Sequence, residues 1–274
     1  MSREYDATIA EHYRKVAQDV GLSWSSTMND EPVRRIETES VESFLDAALQ
    51  AVADKNKGRA LVADVGCGNG YTLGTMAKRF QDHDFVGIEM SDDLRALTEK
   101  RVAEDKLNNV TVRNGDIRDD SFAEANGFDV VVCQRVIINL LDPEDQSAAL
   151  KNIMASVRPG GFLLFIEAFK SSLDRLNEAR SEFDLEALPP AHHNLYLEDD
   201  FFEGQNLQTF EHSGWNTPPN VLSTHYYTSR VIFPILLGDK PLVRNSHFVK
   251  FYAKALPTGV GDYSPVRILA YSKA

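Results

Sequence analysis

Residues 64 to 70 read Asp-Val-Gly-Cys-Gly-Asn-Gly, so three glycines fall within five residues at the end of the β-rich run "ALVADV". Glycine surrenders its side chain where the main chain must take φ > 0 or let a ligand lie against it. The dinucleotide pattern Gly-x-Gly-x-x-Gly is not met, because Tyr71 stands where its third glycine belongs. Asp64, two residues before Gly66, would repel a pyrophosphate and suits a ligand carrying an ammonium group. No Gly-Lys-Ser/Thr element supports a triphosphate site. The other groups able to do chemistry are imidazoles: the adjacent pair His192 and His193 in "PPAHHNLY", and His225.

The elements around the glycine turn alternate. "ALVADVG", "DFVGIE", "NVTVRNGD", "FDVVVCQ" and "GFLLFIEAF" read as five strands, and helical runs follow at 71–80, 91–104 and 143–157. Strands alternating with helices predict an α/β fold, a doubly wound and mostly parallel sheet covered on both faces. Two later runs, "NVLSTHYYTSRVIFPIL" and "SPVRILAYSK", read as strands six and seven, and "EDDFFEGQNLQTFEHSGW" as a helix between the core and them. Residues 1–55 read as a helical lid, with Asp30 as the N-cap of its second helix and Pro32 in the first turn. The expected division is 1–55 as lid and 56–274 as main domain, with cap insertions at about 171–197 and 230–262.

"DVGCGNG" resembles motif I of the class I S-adenosylmethionine-dependent methyltransferases, small-molecule type. The resemblance spans about Ala60 to Phe169 and has four ordered parts: the Asp64–Gly70 turn, Glu89 ending the second strand 19 residues beyond Gly70, Asp116 in "NGDI", and "VRPGGFLLFIE". It implies a Rossmann-like methyltransferase fold and S-adenosyl-L-methionine as cofactor. Glu89 would accept the ribose hydroxyls and Asp116 the adenine amine, since ionised carboxylates are acceptors. Gly66, Cys67 and Gly68 would lie under the methionine portion, and Asp64 would serve the ammonium. Met90 and Ile117, each following one of the acids, complete the implied cofactor contacts. Gln134 and Arg135 fall where the family lines the methyl-transfer chamber, or else end the fourth strand toward solvent.

The lid and inserts bear on the acceptor. Tyr13 matches a tyrosine that closes over the cofactor, or packs with Ile9 and Val16. Arg34 and Arg35 either reach the cofactor carboxylate or pair with Glu31, Glu37 and Glu39. His192, His193 and Arg135 are the candidate catalytic groups; the competing reading makes the two histidines an exposed surface loop and His225, a further candidate base, a packed side chain. No metal is expected, because no helical His/Glu ligand spacing accompanies the pair. Residues 221–257 carry five Lys/Arg against one acid, interleaved with six aromatics. Arg230, Arg244, Lys250 and Tyr226 are therefore the candidate acceptor-binding residues, with a dimer interface or a solvated basic face as the competing reading.

Composition narrows the class. A net charge of −12 opposes general nucleic-acid binding. The two cysteines, Cys67 and Cys133, form no Cys-x-x-Cys pair. No apolar run is long enough to span a membrane, and the polar start "MSREYDATIAEHY" does not read as a secretory signal, so a cytoplasmic setting is expected. The expected function is methyl transfer to O or N of a small, polar or anionic acceptor, with a homodimer as the open possibility and no nucleic-acid or membrane partner expected. The alternatives are a nucleic-acid or protein methyltransferase and a non-catalytic cofactor-binding module.

Overall fold

Leu61–Val65 (β1) is buried on both faces and lies at the middle of a sheet because its side chains, Asp64 excepted, are apolar. The structure is a computed structural model describing residue 3, residues 5–55 and residues 58–274. The further strands are Asp84–Ile88 (β2), Val110–Arg113 (β3), Phe128–Gln134 (β4), Val157–Ala168 (β5), Leu207–Thr209 (β6) and Val266–Lys273 (β7). They form one seven-stranded sheet in the order β3-β2-β1-β4-β5-β7-β6. All neighbours through β5 are parallel, and β7 runs antiparallel between β5 and β6. The chain leaves β1 toward β2 on one side while β4 pairs on the other, which opens a crevice at the carboxyl ends of β1 and β4.

Helices Asp6–Val20 (α1), Glu31–Lys55 (α2), Tyr71–Arg79 (α3), Asp92–Glu104 (α4), Pro143–Ser156 (α5) and Lys170–Ser181 (α6) cover the sheet and its open end. Phe44 and Leu45 of α2 are fully buried, as are Phe165 of β5 and Leu150 and Ile153 of α5 on the sheet's faces. Asp30 caps α2 as expected, accepting from Val33 N at 3.3 Å. Residues 1, 2 and 4 of the expected lid, and residues 56 and 57 at the boundary drawn after it, lie outside the described residues.

Two expectations fail. The run "NVLSTHYYTSRVIFPIL" is helical: Ser223–Tyr227 (α7), a π turn at Thr228–Ile232, then Phe233–Leu237 (α8). Its Thr, Tyr, Val and Ile content favours a strand, but Leu222, Tyr226, Ser229 and Phe233 are buried at steps of three and four, and packing overrides propensity. Thr228 and Ser229 donate to the carbonyls of Thr224 and His225 at 2.8 and 2.5 Å, satisfying the widened turn. The sixth strand is instead β6, inside the stretch read as a helix; it is three residues long and pairs with the chain's last strand.

Candidate active site

The glycine turn follows β1 directly, and its shape is imposed by close neighbours. Gly66, Gly68 and Gly70 all have positive φ, 68°, 59° and 72°. A Cβ at Gly66 would overlap the Val136 side chain, and one at Gly70 would meet Thr98 Cγ2 at 2.8 Å. At Gly68 the nearest obstacle is 3.9 Å away, so the bare backbone there faces open space. That space is a cavity of about 1070 Å³ lined by the turn, the ends of β2 and β4, α1 and the loop at 25–29. Ligand sites span roughly 300–1000 Å³, so this one has room for two small molecules.

Acids line its floor. Asp64 is buried, and its Oδ2 has no hydrogen-bond partner. Burial, with the neighbouring Glu89 charge, pushes its carboxyl up to about 7. Glu89 accepts from Gly68 N at 2.9 Å and Ser91 N at 2.8 Å, and burial raises its carboxyl as well. Asp116 also lines the cavity, but Arg118 grips it through Nε at 3.0 Å and Nη2 at 2.6 Å. Arg118 reaches on to Asp6 of α1 at 2.7 Å, so the acid expected to receive an adenine amine is already tied to the lid. Met90 is exposed into the cavity, while Ile117 and Cys67 are buried in its wall.

Beyond this acidic floor, Tyr13 lines the cavity and accepts from Asn139 Nδ2 at 2.6 Å. Burial pushes its phenol above the usual range. Gln134 is held from two sides, donating to Glu37 at 2.8 Å and accepting from Thr72 at 3.1 Å. Arg135 adopts φ 56° and turns into the cavity, donating to the Thr27 carbonyl at 3.1 Å. Gln134 and Arg135 thus line the cavity instead of ending β4 toward bulk solvent. Arg34 and Arg35 separate: Arg35 pairs with Glu39 at 2.9 Å, while Arg34 is buried beside the cavity with its Nε unpartnered. Burial, then the charge of Arg135, pushes Arg34 down to about 10.

Two residues escaped the sequence reading. Glu167, fully buried at the end of β5, accepts from Val136, Ile137 and Ile138 N at 3.0, 3.1 and 3.3 Å. It thus fixes the turn that carries Arg135 and Asn139, and burial lifts its carboxyl to about 7. Arg118 is the other, and only its position two residues after Asp116 could have signalled it.

Of the acceptor-binding residues expected from sequence, Tyr226 and Arg244 line the cavity. Arg230 does not. It donates to Asp30 Oδ2 at 2.7 Å while His225 meets Asp30 Oδ1 at 3.0 Å. Burial would raise Asp30, but the His225 hydrogen bond and the Arg230 charge hold it below the usual range. Lys250 is likewise diverted, pairing with Glu31 on the outside of α2. Both basic groups are spent on acids at the start of α2, which sequence separation of about 200 residues concealed. His225 is packed in the same network and does not face the cavity.

His193 lines the cavity and His192 stands exposed beside it. The loop carrying them is fastened to the turn after β4: Asn194 donates to Asn139 at 2.7 Å, and Leu195 N to the Ile138 carbonyl at 2.7 Å. Burial, then neighbouring His12, pushes His193 down to about 4.

Residues 62–161 match a family model described as "Methyltransferase domain". A ubiquinone biosynthesis O-methyltransferase of Acinetobacter baumannii is 26% identical over 136 residues, covering 49% of this chain and 55% of that protein. The chain thus spans about half the length of the curated relatives it matches. Among solved structures, magnesium protoporphyrin IX methyltransferase from Synechocystis with bound S-adenosylhomocysteine superposes with a TM-score of 0.55 at 15% identity, covering 98% of this chain and 96% of that one. A structure titled as a putative sarcosine dimethylglycine methyltransferase from Galdieria sulphuraria gives 0.53 at 15% identity, over 97% and 98%. The fold is that of the class I methyltransferases.

Proposed function

We propose, for a chain whose residues 62–161 match a methyltransferase-domain family model and whose fold is that of the class I methyltransferases, that it transfers a methyl group from S-adenosylmethionine to oxygen or nitrogen of a small polar or anionic molecule. The observation that carries the reading is Asp64 Oδ2, a buried carboxylate oxygen without a partner at the edge of a bare glycine turn. A buried acceptor left unpaired is costly and calls for a donor from a ligand. An ammonium group answers that demand, and the unpartnered Arg34 Nε beside it answers a carboxylate. The donor set therefore fits the amino-acid end of the cofactor, and Glu89, one strand over, fits a ribose.

The bound cofactor supplies an activated methyl group, so the protein's work is alignment and exclusion of water. Tyr13 on α1, held by Asn139, covers the cavity from the lid side. Glu167 and Glu37 hold the turn of Arg135 and the amide of Gln134, which wall the space beyond the glycine turn. Arg244 lines the cavity away from the acids at the strand ends, which supports a polar or anionic acceptor. The lid and the fastened 191–195 loop favour a small molecule over a polymer. The curated relative's name, ubiquinone biosynthesis O-methyltransferase, accords with a small organic acceptor.

Calorimetric titration with S-adenosylhomocysteine and, separately, with NAD tests the cofactor. Binding of the first and indifference to the second is expected; the reverse overturns the reading. Release of S-adenosylhomocysteine across a panel of phenols, carboxylic acids and amines then identifies the acceptor class.

A further inference from the structure

At one edge of the cavity stand three imidazoles that the alignment above does not employ. His12 comes from the lid helix α1, and His192 and His193 from the loop behind α6. The His12 and His193 rings stack, with centroids 3.7 Å apart and planes at 20°. His192 stands edge-on to both, at 5.7 and 4.9 Å. One ring nitrogen from each residue lies within 4.8 Å of the other two. His193 Nδ1 is buried and without a partner, so one of the two nitrogens this residue could offer an ion is withdrawn from water and left unsatisfied.

We propose that His12, His192 and His193 form a site for one divalent transition-metal ion of the zinc class, whose remaining coordination position faces the acceptor side of the cavity. Three neutral nitrogen donors suit Zn²⁺, Ni²⁺ or Cu²⁺, whereas Mg²⁺ and Ca²⁺ demand oxygen ligands. Zinc held by three protein ligands keeps its fourth position open. Two of the three residues, His12 and His193, line the cavity, so that position is reached from within it. Arg135 is the cation facing His193, but its guanidinium is drawn toward Glu37, 3.6 Å away, and the Thr27 carbonyl. Zinc–nitrogen bonds of about 2.0–2.1 Å lie along each ring's in-plane lone pair, so the His12 and His193 rings must turn out of their stack and draw in from the present 4.8 Å spread to aim at one ion.

The placement couples the ion to the lid. One ligand rides on α1 and two on a loop pinned to the turn after β4, so a bound ion ties the lid to the chamber. By linkage, an ion that binds only the closed arrangement stabilises it. An oxygen or nitrogen of the acceptor would occupy the open position; that role rests on the proposed methyl transfer, while ion binding itself does not.

The full chain, stripped with a chelator, is titrated with ZnCl₂ by calorimetry and with CoCl₂ by visible absorption. One equivalent is expected, with the intense visible bands of four-coordinate cobalt and slower proteolysis of α1 once zinc is present. His12→Ala and His193→Ala should each weaken zinc at least tenfold and abolish the bands, while thermal melting in chelator stays as in the parent chain. Absence of stoichiometric binding in the parent chain, or equal zinc affinity in the parent and His12→Ala, overturns the site. Titration of S-adenosylhomocysteine into the same chelated samples reports separately on the methyl-transfer reading.

Discussion

Arg118 donates to both carboxylate oxygens of Asp116, at 3.0 and 2.6 Å, and with its other amino group to Asp6 on the lid helix. The pairing makes one guanidinium a tie between the cavity floor and the first turn of α1. Arg118→Ala should therefore loosen the lid without unfolding the core. Hydrogen exchange is expected to quicken across residues 6–20 and to stay unchanged in β1 and β4. Uniform exchange in both regions would contradict the tie.

Glu89 holds Gly68 N–H and is the acid placed to receive a ribose. Glu89→Ala removes charge-assisted hydrogen bonds worth about 1.5–3 kcal/mol. Affinity for S-adenosylhomocysteine should fall roughly ten- to a hundredfold by calorimetry. An unchanged Kd would remove Glu89 from the cofactor site.

Asp64 gives the site a pH dependence of defined sign. Its folded carboxyl lies at about 7, above its unfolded value, so the ligand-free fold binds the extra proton between those limits. The stability it contributes is complete below the unfolded value and is lost as pH rises through about 7. Glu167 acts in the same direction. Melting of the ligand-free protein should thus fall from pH 5 to pH 8, and Asp64→Asn should flatten that fall only in part. Cofactor affinity runs the other way, tightening as Asp64 ionises, and Asp64→Asn should erase the trend.

Asp30 is fully buried between His225 and Arg230. Deleting one partner of a buried ionic group typically costs about 3–5 kcal/mol, because the other charge is left uncompensated. Arg230→Ala should lose stability of that order in urea denaturation. A change under about 1 kcal/mol would place the network among weak surface pairs.

Arg244 and Lys250, alike in sequence, should part in function. Arg244→Ala is expected to raise the acceptor KM severalfold with cofactor affinity unchanged, since only Arg244 lines the cavity. Lys250→Ala, on the outer face against Glu31, should alter neither. Equal effects from both would return the basic stretch to a diffuse electrostatic role.

The sequence by itself determined the nucleotide-binding half. Strand and helix periods, the glycine turn and the acids at Asp64, Glu89 and Asp116 are local signals, because each lies within a few residues of the strand end that positions it. Tertiary structure decided everything that depends on residues far apart along the chain. It sent Arg230 and His225 to Asp30, tied Asp116 to the lid through Arg118, and stacked His12 on His193 across about 180 residues. It also wound residues 223–237 into helix against their strand-like composition. Period and spacing encode which face of an element is buried, but not which distant partner a buried charge will meet; that choice follows from packing, where an unpaired ion costs more than any local preference can offset.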